Sequence, residues 1–128
     1  MVELKSDDVR TLVDLGFIAL NRGHNDEAAA IFAGAQAARP AQEAGFIGSA
    51  LVNLARGELE TAVKTLRSLP PSDTARTFLA MALNRSGDRA TAREILSDVV
   101  RTADGTPDAV LARELLDDLD GAQAPLFR

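Results

Sequence analysis

The feature that most constrains this chain is a spacing. Gly23, Gly57 and Gly87 each stand between an apolar stretch and a polar, acid-bearing one. Each is followed five residues later by an alanine, Ala28, Ala62 and Ala92, and four residues after that by a large apolar residue, Phe32, Leu66 and Leu96. A glycine just past a helix C-terminus adopts the left-handed cap conformation at little steric cost. The acids that follow, Asp26 and Glu27, Glu58 and Glu60, and Asp88, suit the positive end of the next helix. A small alanine then lets the preceding helix cross close above it, and the bulky residue one turn on fills the space between. Each unit therefore predicts a helical hairpin, and the chain holds three of them in series.

The full reading is seven helices, at about 6–22, 25–38, 41–56, 59–69, 72–86, 89–103 and 107–120. Pro70-Pro71 ends the second hairpin early and shortens the spacing to the third glycine. Thr106-Pro107-Asp108 reads as an N-cap, a proline at the first helical position and an acid. The helix it opens carries Asp108, Arg113, Glu114, Asp117 and Asp118, a polar outer face of the kind that the end of a stacked repeat requires. The fold class is all-α, an α-solenoid of three hairpins plus a C-terminal capping helix. It is expected to form a single helical domain over residues 1–120, with 121–128 as a flexible tail ending Pro125-Leu126-Phe127-Arg128.

Composition agrees. The chain is rich in alanine, the best helix former, and has five Phe but no Trp or Tyr, which suits close-packed helices better than a β-rich core. A net charge of −5 argues against a general nucleic-acid binder, which needs a basic face for the phosphates. The absence of cysteine excludes disulfides and thiolate metal sites. The polar start Met1-Val2-Glu3-Leu4-Lys5 does not read as a signal peptide, and the longest uncharged run, Ala44 to Ala55, falls short of the roughly 20 residues that span a bilayer. A cytoplasmic protein is expected.

The hairpin pattern resembles the tetratricopeptide repeat. Leu12, Leu15, Gly16 and Ala19 stand at that motif's first-helix positions, and Ala28, Phe32, Ala35 and Pro40 at those of its second helix and closing proline. The second repeat departs from the motif, with Phe46, Ser49, Ala50 and Asn53 in its first helix, and the third has Arg76, Leu79, Ala80 and Leu83.

Nothing in the sequence assembles a reaction centre. His24 is the only histidine and falls in a turn. The pairs Asp7-Asp8 and Asp117-Asp118 are sequence neighbours, which point in different directions on a helix. No glycine-rich phosphate loop follows a strand, and no His/Asp/Glu group has metal-ligand spacing. The expectation is a non-enzyme with no cofactor and no metal.

What does stand out is surplus hydrophobicity in the first helix of each hairpin. An amphipathic helix buries one face with an apolar stripe about 100° wide. Leu12, Leu15, Gly16, Ala19, Phe46 and Ala50 are assigned to packing within the hairpins, which leaves Val13, Phe17, Leu20, Ile47, Leu51 and Leu54 on the other side. The repeat resemblance implies that these residues, with Met81 of the third hairpin, line a concave apolar groove and form the protein-binding site. Repeats that clamp a peptide's terminal carboxylate use Lys, Arg and Asn there, whereas Val13, Phe17, Ile47 and Leu51 favour an apolar helix.

In size, acidity and groove character the chain resembles the small tetratricopeptide chaperones of bacterial type III secretion systems, of the needle-subunit or translocator class. That resemblance implies a bacterial cytoplasmic chaperone in protein transport. Its partner would be the amphipathic helix of a secreted or needle subunit, held with a small helical co-chaperone, so that the subunit does not self-assemble early. The alternative is an adaptor or assembly scaffold that binds a folded partner permanently, including as a homodimer. Neither reading involves nucleic acid or membrane insertion.

Overall fold

In the computed structural model, which describes residues 5–123, Gly23, Gly57 and Gly87 take φ of 78°, 79° and 102°. All three therefore sit in the left-handed region that the repeat demands of them. The helices they separate are α1 (Ser6–Asn21) and α2 (Asn25–Ala38), α3 (Ala44–Ala55) and α4 (Leu59–Ser68), and α5 (Asp73–Arg85) and α6 (Arg89–Thr102). A last helix, α7 (Pro107–Gln123), follows. The fold is all-α: among the described residues there are seven helices and no strand.

Helix ends follow local chemistry. The hydroxyl of Ser72 accepts the Ala75 N–H at 3.0 Å to start α5. The Asp88 carboxylate accepts the Thr91 N–H at 3.2 Å to start α6. Thr106 starts α7 by accepting the Ala109 N–H at 3.2 Å while its own hydroxyl donates to the Ala103 carbonyl. Each bond satisfies one of the orphan donors of a helix N-terminus. Two boundaries differ from the sequence reading by more than one residue. α3 begins at Ala44, because residues 40–43 turn first, with the Gln42 N–H on the Arg39 carbonyl. α7 runs on through Gly121 to Gln123, while residues 124–128 of the expected tail lie outside the described residues.

The chain divides into two compact units, 1–66 and 67–128. In the first, α1, α2 and α3 all touch one another. Their core cluster is Val9, Val13, Ala28, Phe32, Ala35 and Val52, and Phe32 is its centre. The Phe32 ring is fully buried and lies against two glycines, Gly16 of α1 and Gly48 of α3. A Cβ at Gly16 would stand 2.6 Å from the ring, and one at Gly48 only 2.2 Å. Phe17 adds an edge-on contact, with ring centroids 5.0 Å apart and planes at 66°, a favoured aromatic geometry. At the matching repeat positions the smaller Leu66 goes with Ala50, and Leu96 with Ala80, all of them buried. A larger filler is matched by a smaller neighbour, as a core of fixed volume requires. Polar ties complete the unit: the Gln36 amide donates to the Gly45 carbonyl and the Ser49 hydroxyl, and Arg56 pairs with Asp26.

The second unit packs α5, α6 and α7 against one another. α7 is held at both ends. At its start Asp108 accepts from the Thr74 hydroxyl at 2.8 Å. Near its end Arg89 donates to the Leu119 carbonyl at 2.7 Å, and Arg93 pairs with Asp120. Two of the acids of this helix are thus tied to α5 and α6.

Between α5 and α6, Asp98 is held by Arg76 and by Arg101. The hydrogen bond from Arg76 is the main cause that holds this carboxyl below its ordinary range. Burial works against it, and the charges of Arg76 and Arg101 reinforce it. A carboxylate with a depressed folded pKa contributes stability above its unfolded pKa, and that contribution is lost as the pH falls through the folded value. Wild-type protein should therefore lose thermal stability more steeply below about pH 4 than Asp98→Asn does. Melting curves of the two proteins recorded by circular dichroism across that range check this.

Candidate protein-binding face

The three first helices can be compared position by position, counting back from each hairpin glycine. Ten residues before the glycine stand Val13, Ile47 and Thr77, and all three are buried. Six residues before it stand Phe17, Leu51 and Met81, and all three are half-buried. Three residues before it, Leu20 is half-buried and Leu54 buried, while the third hairpin has the half-buried Asn84.

This pattern corrects the sequence reading at three of its seven groove positions. Val13, Ile47 and Leu54 have only 9 %, 3 % and 2 % of their surface exposed, so a partner cannot rest on them. The physical reason is stripe width. On α3, Ile47, Ala50 and Leu54 fall at i, i+3 and i+7, one helical face, and Ala50 was already assigned to the interior. On α1, Val13 joins Val9 and Val52 in the core cluster, because α1 and α3 touch directly and that contact consumes apolar residues of its own. Sequence reasoning had counted only packing within each hairpin and left out packing between successive first helices.

Four positions remain accessible in part. In the first unit these are Phe17 and Leu20 on α1, both packed at their base on the core cluster, and Leu51 on α3. In the second unit Met81 holds the register of Phe17 and Leu51 on α5. The Phe17 ring packs edge-on against Phe32. Such side chains offer apolar contact area at low ordering cost and no nucleophile or acid–base pair. His24, the one imidazole, lies exposed at the start of α2 with Nδ1 3.9 Å from Glu27. Among the described residues no three His, Asp or Glu side chains are grouped as metal ligands would be. No helix among them is long and apolar enough to cross a membrane.

A second correction concerns α1. Leu15, read from sequence as internal, is 48 % exposed, and its neighbour Ile18, which the sequence reading passed over, is 46 % exposed. Both lie away from the face on which α1 carries Val9, Val13 and Gly16 into the core, so nothing in the first unit covers them. The i, i+3 spacing of Leu12, Leu15 and Ile18 was the available signal, since it marks a ridge separate from the Val9-Val13 stripe.

Comparison with known proteins agrees with this architecture. The tetratricopeptide repeat family model matches residues 9–33 and 74–97, within the first and third hairpins. The second hairpin, whose first helix departs most from the motif, is not matched. No curated protein matches the sequence. Among solved structures, the Yersinia enterocolitica type III secretion translocator chaperone SycD is similar in an alternative dimer form, with a TM-score of 0.71 at 16 % identity over 97 % of this chain and 100 % of that one. SycD in complex with a peptide of the translocator YopD gives 0.68 at 17 % identity, over 96 % of this chain and 100 % of that one. The first tetratricopeptide domain of Spaghetti (RPAP3), bound to the HSP90 peptide SRMEEVD, gives 0.68 at 16 % identity over 98 % and 100 %. Two segments of the chain thus match the tetratricopeptide repeat, in an all-α fold similar to that of these peptide-bound and dimeric structures.

Proposed function

We propose that this chain is a non-catalytic, protein-binding chaperone of the bacterial cytoplasm, and that it holds an amphipathic helix of a secretion-system subunit against the apolar side chains of its first helices. The observation that carries this reading is the register six residues before each glycine. In all three hairpins that position holds a large apolar residue, Phe17, Leu51 or Met81, left half-exposed after the fold has packed. The partner's apolar stripe would rest on Phe17, Leu20 and Leu51, with Met81 offering the same kind of contact on the second unit. Burying that stripe would keep the subunit from assembling with its own copies, as helix-in-groove recognition does for other amphipathic segments.

Similarity to SycD, which was solved with a peptide of the translocator YopD, supports this class of partner. The acidic peptide bound by the Spaghetti domain is a poorer guide to specificity. A carboxylate needs cationic or amide donors, and the register here offers hydrocarbon and an aromatic ring instead.

Affinity purification of the wild type and of Leu51→Asp from the native cell, read by quantitative mass spectrometry, tests the proposal. A partner with a long amphipathic helix should be enriched by the wild type and lost from the folded variant. Recovery of the same partners by both proteins would refute the assignment.

A further inference from the structure

α7 keeps much of the register of the first helices. Gly121 stands 34 residues after Gly87, the interval that separates Gly57 from Gly23. Nine residues before Gly121, Ala112 is buried, as Gly48 is at that place on α3. Six before it, Leu115 is half-buried, like Phe17, Leu51 and Met81. Seven before it the match fails. Gly16, Ala50 and Ala80 are buried at that position, and Gly16 there meets Phe32 of its hairpin's second helix. On α7 the position holds Glu114, which is exposed. Val110, Arg113 and Asp117 are exposed beside it, Val110 to 59 %. At 3.6 residues per turn the four lie within about 50° of one direction, so the side of α7 in register to receive a second helix is open as a whole. With the turn at Asp104 and Gly105 they border a cavity of about 390 Å³. Its charge is one-sided, since Asp104, Glu114 and Asp117 outnumber Arg113. Asp108 and Asp120 on the same helix are engaged by Thr74 and Arg93. None of the three acids at the cavity has an ion-pair partner among the described residues.

We propose that this face of α7 docks a basic amphipathic helix of a partner protein, seated as a second helix is seated in the hairpins. Lys or Arg side chains of that helix meet Asp104, Glu114 and Asp117, and a small apolar residue rests on Val110. Charge decides the occupant. An apolar helix that packed as α2 does would strip the Glu114 carboxylate of water and give it no partner. A basic helix pairs the carboxylates, while the aliphatic stems of its cations cover Val110. A second copy of the chain is a poor occupant, because a net charge of −5 sets like against like. Leu115 lies about 150° round the helix from the centre of this face. The inference therefore stands apart from binding at the register of Phe17, Leu51 and Met81. Pairs at an exposed face are screened by salt, so the complex is reversible and weakens as ionic strength rises.

Two helical peptides of roughly five turns test this by titration into the isotope-labelled full chain. Both carry the same stripe of alanine and leucine, flanked by lysine in one and by glutamate in the other. At about 50 mM salt the lysine peptide should bind with a dissociation constant of roughly 10–200 µM and shift the amides of Val110, Glu114 and Asp117. The glutamate peptide should bind at least about tenfold more weakly. Glu114→Lys with Asp117→Lys should reverse that preference and keep the helical signal, since both residues are exposed. Asp14→Lys with Glu27→Lys makes the same change in net charge at exposed positions of the first unit and should leave the preference as in the wild type. Leu51→Asp should leave it unchanged as well, which separates this face from the contact proposed for the first helices. Failure of the lysine peptide to bind would overturn the proposal, as would equal affinity for the two peptides. A preference unmoved by the reversal on α7, or moved as far by the Asp14 and Glu27 changes, would overturn it too.

Discussion

Phe32→Ala should destabilise the first unit by about 3–5 kcal/mol, the range for emptying a buried aromatic site. Phe32 is fully buried at the meeting point of α1, α2 and α3, and its ring is the largest side chain that the fold encloses completely. Loss of that ring leaves a cavity bounded by Gly16 and Gly48, which have no side chains with which to fill it. The same slot yields a sharper expectation. On helix propensity alone, Gly48→Ala should stabilise α3 by roughly 1 kcal/mol. Packing reverses the sign, because the new methyl group would fall 2.2 Å from the Phe32 ring and 2.5 Å from the carbon at its root, so rotating the ring cannot clear it. Gly48→Ala should therefore lower stability by about 1–3 kcal/mol. Adding Phe32→Leu should recover part of that loss, because the smaller side chain vacates part of the space that the new methyl group enters. Urea unfolding followed by far-ultraviolet circular dichroism on the three single and double variants checks both the sign and the non-additivity. A stabilising Gly48→Ala would mean that the ring is not seated as described.

The second large effect separates a binding residue from a core residue on the same helix. Leu51→Asp and Ile47→Asp lie four residues apart on α3 and make the same chemical change. Ile47 is buried, so its replacement would leave an unpaired carboxylate in the core and should unfold the first unit. Leu51 keeps part of its surface in water, so the aspartate there can stay solvated and the helical signal should persist. Binding should respond in the opposite way. A leucine buried against a partner is worth about 1.5–3 kcal/mol, some ten- to hundredfold in affinity, and a carboxylate pressed into an apolar contact costs more again. Circular dichroism on both variants, with affinity measured on whichever stays folded, distinguishes the two roles.

The division between core and surface was legible only in part. The glycine–alanine–large apolar spacing carries the hairpins, because each residue type answers a local need: a left-handed cap, a close crossing, a filler. Thr106-Pro107 likewise marks the start of α7 by chemistry confined to one turn. Other features depend on neighbours that local rules do not see. Val13, Ile47 and Leu54 read as surplus because the contact of α1 with α3 joins residues distant in sequence. Leu15 read as internal because the repeat motif places a leucine there, whereas α1 turns its Val9 and Val13 face to the core instead. The slot for Phe32 shows the same limit. Gly16 holds the motif's small position but Gly48 is unremarkable in sequence, and only the fold brings both against one ring. The half-exposed register of Phe17, Leu51 and Met81 emerged once the buried positions had been subtracted.

The central claim is that this register is a protein-binding surface. The most direct measurement is backbone amide chemical-shift mapping of the isotope-labelled chain titrated with the amphipathic helix of its partner. Saturable shifts concentrated at Phe17, Leu20 and Leu51, and absent from the Leu51→Asp protein, are the predicted result. Shifts confined to the outer ridge of α1 or to α7, with those three residues unmoved, would contradict it.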